Sequence, residues 1–173
     1  MEISFIVPAT PVPQPRPRAV KFGGQARMHE LTHVKGADGR RREHPIVAFK
    51  ATVRMAYEEL QLGPPLADCD IALTLICVMP RTKACEKYGP GRLPYRVKKN
   101  DWDNLGKSVC DALNQRAWVD DGLIHAAYVE RWYAAADETP HCAITIRRLD
   151  DPVKLVKVRG KKTGTRKDSA CLF

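Results

Sequence analysis

A chain of 173 residues is of single-domain length and long enough to bury a core of its own. With 44% hydrophobic and 28% charged residues and a formal net charge of +9, it reads as a globular protein whose natural partner is a polyanion, nucleic acid before anionic membrane. No apolar run approaches the ~18 residues of a transmembrane helix. The first residues lack the basic and apolar regions of a signal peptide, and the six cysteines form no C-x-x-C pair, so reduced thiols in the cytoplasm are expected rather than disulfides or structural zinc.

In chain order, the apolar run 3–7 ends at Pro8 and predicts a first strand. Pro8, Pro11, Pro13, Pro15 and Pro17 then impose an extended path carrying Arg16 and Arg18. Gly23-Gly24 and the segment 35–42 continue it as a long basic loop, of the kind that is usually functional or mobile. Residues 45–62 repeat Ile46, Phe49, Val53, Tyr57 and Leu60 at helical spacing, and Gly63-Pro64-Pro65 stops them. Residues 69–79 are apolar on both faces, which predicts a strand near the centre of a sheet. The segment 81–100 is a second basic loop, and Gly89-Pro90-Gly91 with Pro94 argues against regular structure through its middle. A second helix is expected over 104–115, then strands over 123–134 and 142–149. The order predicts an α+β domain at 1–150 with two main helices on one face of a sheet. The tail, 151–173, has too few apolar residues to order itself and is expected to be a basic, mobile extension.

The chemistry concentrates in Asp101-Trp102-Asp103-Asn104-Leu105-Gly106-Lys107 and Trp118-Val119-Asp120-Asp121. Taken singly, Asp103 is a good helix N-cap, Asp101 a solvated neighbour, and Asp120-Asp121-Gly122 a turn. Together they sit amid cationic loops, where carboxylates would repel a bound phosphate unless a metal bridged the two. Two oxygen donors before a helix and one or two after it can converge on Mg2+, which takes a few carboxylates and leaves positions for water and phosphate. Lys107, one turn beyond Asp103, can lie near the same end and stabilise developing charge. A metal-dependent nuclease follows from this pattern, with a non-catalytic nucleic-acid-binding protein as the alternative.

The run Asp101-x-Asp103-Asn104-Leu105-x-Lys107, then Asp111-Ala112-Leu113, then Val119-Asp120-Asp121, resembles the signature of the RusA family of Holliday junction resolvases. Val7-Pro8 and Pro13-Gln14-Pro15-Arg16-Pro17-Arg18 are similar to that family's opening strand and proline-rich basic loop. The resemblance covers about 3–149. It implies a two-layer fold with a mixed sheet of about four strands. It also implies a homodimer that uses Mg2+, with Mn2+ as a substitute, to resolve four-way branched DNA by paired nicks in recombination and repair. The location would be cytoplasmic and nucleoid-associated, in a bacterium or phage. By position, Asp101, Asp103 and Asp121 match the metal-binding aspartates, Lys107 the essential lysine, and Asp120 the neighbouring acid. Asp111 either holds Lys107 or forms a surface i,i+4 pair with it. The longer loops and the basic tail depart from the shorter members.

Two further patterns bear on function. His29-Glu30-Leu31-Thr32-His33 fits H-E-x-x-H, the zinc protease pattern, but its third ligand position falls on Gly39 and no apolar stripe flanks it, so a chance match is the better reading. Arg16, Arg18, Lys21, Arg81, Lys83, Arg96, Lys98 and Lys99 are the expected DNA-backbone contacts. Tyr88, Tyr95 and Trp102 could stack on unpaired bases, although packing beside the helix start would equally suit Trp102; Trp118 reads as core.

Overall fold

In the computed structural model, residues 1–16, 32–97 and 101–149 are described in full, and 18–22 and 25–29 by their backbone alone. The elements are β1 (Glu2–Val7), β2 (Arg18–Phe22), β3 (Gln25–His29), β4 (His33–Lys35), β5 (Arg41–Glu43), α1 (Pro45–Glu58), β6 (Asp70–Met79), β7 (Leu93–Pro94), α2 (Trp102–Leu113), β8 (Ile124–Tyr133) and β9 (His141–Leu149). Short 3-10 turns occupy Lys83–Tyr88 and Asp121–Leu123. The expected tail, 151–173, lies outside the described residues, as do Lys98 and Lys99.

The main sheet runs β1-β9-β6-β8-β7. β6 and β8 are parallel and the other pairs antiparallel, so the sheet is mixed. Its four long strands are those expected; the fifth, β7, is a two-residue edge piece that the proline-rich reading of 81–100 did not foresee. Pro94 is tolerated there because an edge strand needs no second ladder of donors. The basic segment after Pro17 is likewise not one long loop: β2 pairs with β3 and β4 with β5 as two separate hairpins.

β6 was expected at the sheet centre and lies there, between β9 and β8. One face carries Phe5, Val7, Leu73, Leu75, Ile144 and Ile146, packed beneath Phe49 and Val53 of α1 and Leu105, Val109 and Leu113 of α2. Each such fully buried side chain contributes about 1.5–3 kcal/mol of transfer free energy. Among the described residues no helix covers the other face, and Ala72, Thr74 and Ile76 of β6 are only half-buried. β7 pairs with β8 only at Tyr133 and Trp132. The first half of β8 is therefore an edge, and His125, Ala126, Ala127 and Tyr128 are all exposed.

α1 begins with Pro45, whose fixed φ suits a first helical position and whose missing N–H costs nothing there. It stops at Glu58, four residues short of the expected end, because the chain turns through a positive φ at Gln61 before Gly63. α2 starts two residues earlier than expected. The N-cap position belongs to Asp101 (φ −61°, ψ 142°), not Asp103, which lies in the first turn. The Leu105 N–H donates to the Asp101 carbonyl at 3.2 Å, which is what brings Trp102 inside the helix. The five described cysteines are free; Cys77 and Cys142, opposite each other on β6 and β9, hold their sulfurs 3.9 Å apart.

Candidate active site

Residues at i, i+3, i+4, i+7 and i+8 of α2, from Leu105 to Leu113, are turned into the core. The opposite face of the helix must then carry Asp103 and Lys107, and both are exposed; Trp102, three residues before Leu105, is on the core side of the helix in angle but stands at its first position and is exposed too. Asp103 and Lys107 are one turn apart on that face. Trp102 is 58% exposed, which removes core packing as its explanation, whereas Trp118 is fully buried as expected.

Asp101 occupies a cap position without capping. Its side chain makes no bond to the helix start; Oδ2 instead accepts from Arg16 Nη2 at 3.3 Å. The Gln14 N–H donates to the Asn104 carbonyl at 2.8 Å, so the proline-rich segment is tied to the first turn of α2. Between them lies an open cleft of about 610 Å3, bounded by Arg16, His44, Asp101 and Asn104.

The second pair of acids follows the helix. Leu66 N–H donates to the Ala117 carbonyl and Val119 N–H to the Leu66 carbonyl, which pins the segment leading to them. Asp120 Oδ1 accepts from the Gly122 N–H at 2.7 Å, closing the turn. A Cβ at position 122 would come within 2.8 Å of that oxygen, so a larger residue there would push the Asp120 carboxylate aside. This commits one oxygen of Asp120 to the backbone, while Asp121 is exposed beyond it. Asp121 lies toward the third turn of α2. Its charge, with that of Asp111, adds to burial in pushing the Cys110 thiol up to about 11. The partner that holds Asp111 comes from another helix rather than from Lys107: Lys50 of α1 reaches it at 3.1 Å and braces the two helices. Among the described residues, no three acidic, histidine or cysteine side chains lie together closely enough to hold one ion. The first-turn acids and Asp121 are thus not gathered in one cluster.

A family model for endodeoxyribonuclease RusA matches residues 8–147. The chain belongs to the RusA endodeoxyribonuclease family. No curated protein matches it significantly. The RusA match spans everything from the residue after β1 to Arg147, two residues before the end of β9, so both aspartate pairs, Lys107 and the Arg16 loop fall inside it.

Around this RusA centre the basic residues divide. Arg16, Lys83 and Arg96 are exposed. Arg81 is not available in the same way: its guanidinium donates to the carbonyls of Gly91 and Ala134 at 3.0 Å each, to that of Cys85 at 3.0 Å, and to that of Gly89. Arg92 forms an ion pair with Glu138. For Arg18 and Lys21 only the backbone, in β2, is described. Tyr88 is 66% exposed with the Lys87 ammonium 4.9 Å from its ring centre, whereas Tyr95 packs on Tyr133 at 4.7 Å between centroids. The protease pattern fails: His29 ends β3 and His33 begins β4, so no helix presents the two rings on one face. Sequence reasoning missed His44 and Lys50. A signal for His44 existed, since the residue before a helix-starting proline is a cap position, but histidine is not a preferred cap.

Proposed function

We propose that the protein is a Mg2+-dependent, structure-selective endodeoxyribonuclease that resolves four-way DNA junctions as a homodimer, by paired symmetric nicks. The observation that carries this reading is the exposed face with Asp103 and Lys107, next to an Asp101 carboxylate that faces Arg16 rather than its own helix. A binding protein has no use for uncovered carboxylates in a basic surface, because they repel the phosphates it must hold.

The donor set fits the ion. All the candidate ligands are carboxylate oxygens, and Mg2+ commonly takes only one or two carboxylates, completing its shell with water and substrate phosphate. Asp101 and Asp103 would hold it; Asp121, which is not gathered with them in this structure, would have to approach to serve as a third carboxylate, and Asp120 is limited by its bond to Gly122. The ion, Mg2+ or Mn2+ in its place, would neutralise phosphate charge and make bound water a stronger nucleophile. The chain's own groups do the rest. Lys107 places an ammonium one turn from Asp103, where charge builds on the phosphate oxygens as water attacks in line. Arg16 holds the backbone against the first turn of α2 and keeps Asp101 turned outward. Lys83 and Arg96, with Arg18, Lys21, Lys98 and Lys99, extend the contact to flanking phosphates. Trp102, large and exposed, is suited to stack on a base unpaired at the branch point.

Two-fold pairing suits a two-fold junction, since related sites would reach opposing strands. The sheet face and the edge of β8 that no other described residue covers offer a surface for it, because natural proteins seldom leave such an edge bare. A cytoplasmic, nucleoid-associated location follows from the substrate; among the described residues no helix is long and apolar enough to cross a membrane. The test is a labelled four-way junction against linear duplex, each with Mg2+ or EDTA. Junction-selective cutting that EDTA abolishes is expected. Binding without cutting under every divalent metal tried would establish the non-catalytic alternative instead.

A further inference from the structure

The cleft beside Asp101 has a wall that the aspartate motif does not contain. His44 caps α1, and its Nδ1 accepts the Ile46 N–H at 3.1 Å. A ring nitrogen that accepts from an amide carries no proton, so the neutral ring's single N–H is Nε2, on the opposite edge. The same ring bounds the cleft of about 610 Å3 that Arg16, Asp101 and Asn104 share. Two backbone bonds fix the position, and a third fixes the wall opposite. The His44 N–H donates to the Thr32 carbonyl at 2.8 Å, its carbonyl accepts from Val47 at 3.0 Å, and across the cleft Gln14 is bonded to Asn104 at 2.8 Å. The cleft is roomy enough for a phosphodiester and its sugars. It offers a cation from Arg16 and a neutral, directional donor from His44.

Capping alone is a poor account of this histidine. Serine, threonine, aspartate and asparagine do that work better. An imidazole adds what serine lacks, a second nitrogen reaching away from the helix. Unlike aspartate, it brings no negative charge to a place where phosphate must come.

We propose that His44 is a substrate-binding residue whose Nε2–H donates to a non-bridging oxygen of a DNA backbone phosphodiester seated in this cleft, opposite Arg16. The proposal rests on the reading of this cleft as the place where DNA reaches Asp101 and Asp103. His44→Ser tests it, because serine keeps a cap oxygen and removes the ring. The variant should melt with the parent protein and bind a four-way junction about tenfold more weakly, the size of one lost hydrogen bond to a charged group. In the 15N-labelled parent, the Nε2 resonance of His44 should move when a short duplex is added without metal, a change that a purely structural cap would not show. Parental binding and cleavage by His44→Ser would overturn the proposal, and so would an Nε2 signal unmoved at saturating DNA. If His44→Ser melts early, His44→Asn replaces it as the cap-preserving variant, and the resonance in the parent still decides. A parent that binds DNA and shifts Nε2 but cuts no junction would sink the resolvase reading while leaving the phosphate contact standing.

Discussion

Arg16 and Arg81 look interchangeable in the sequence: each lies in a basic, proline-flanked loop within reach of DNA. In the fold they are opposites. The Arg16 side chain is 81% exposed and reaches one carboxylate, that of Asp101. Arg81 is half-buried and gathers four backbone carbonyls, from Cys85, Gly89, Gly91 and Ala134. The first turn of α2 thus presents its charge to solvent, while the loop between β6 and α2 consumes much of its own in holding its shape. Arg92, paired with Glu138, belongs to the second kind. Charge in a sequence does not say which kind it is; the partners of each guanidinium do.

The contrast can be broken by mutation, and the largest effect is expected at the acids. Asp103→Asn, and separately Asp101→Asn, should lower junction cleavage by about 10^3-fold or more, as the loss of several kcal/mol of charge stabilisation implies, while junction binding in a gel-shift assay persists. Unchanged cleavage in either would remove that residue from the site. Arg81→Ala should instead destabilise the fold by about 1–3 kcal/mol in urea unfolding, because it removes the hydrogen bonds that tie four loop carbonyls together. A variant that unfolds normally but binds DNA weakly would return Arg81 to the DNA surface. Lys83→Ala and Arg96→Ala should leave unfolding unchanged, weaken junction binding severalfold, and each reduce the slope of log K against log salt by about 1.

The smallest effect concerns acid. The Arg92 hydrogen bond is the main cause that holds Glu138 down to about 2, with the Ala135 N–H and nearby positive charge assisting. Because the folded value lies below the unfolded one, the stabilisation is complete above the ordinary carboxylate range and is lost as pH falls from about 4.5 toward 2. The urea midpoint of the parent should therefore exceed that of Glu138→Gln at pH 7, and the gap should close as pH is lowered through that window. A constant gap would mean that shape, not charge, is what Glu138 contributes.

Much of this could be read beforehand where the pattern was long and repetitive. α1, β6 and β9 each bury a face whose period is plain in the chain, and the block from Asp101 to Asp121 carries its resemblance on fixed residue types. What escaped was local or relational. β4 and β5 pair Val34 with Arg42 and Lys35 with Arg41, a hairpin with no apolar alternation to betray it. Asp103 is the cap that residue types favour, yet the helix starts two residues earlier and leaves the cap position to Asp101; only the backbone settles that. Lys50 meets Asp111 across 61 positions, and nothing in either neighbourhood marks the other. The sequence pattern named the four aspartates but could not measure how far apart α2 sets them.

The strand order has a consequence for how the molecule comes into being. β9, the final strand of the described domain, is inserted between β1 and β6, and Ser4 meets Thr145 there at 2.9 Å across 141 positions. During synthesis β1 waits without its partner, and β6 keeps one ladder unfilled, until almost the whole domain has been translated. Contacts of such separation also make for slow closure. A ribosome-bound fragment that already displays Asp101, Asp103 and Asp121 still lacks the strand that completes the sheet beneath α2.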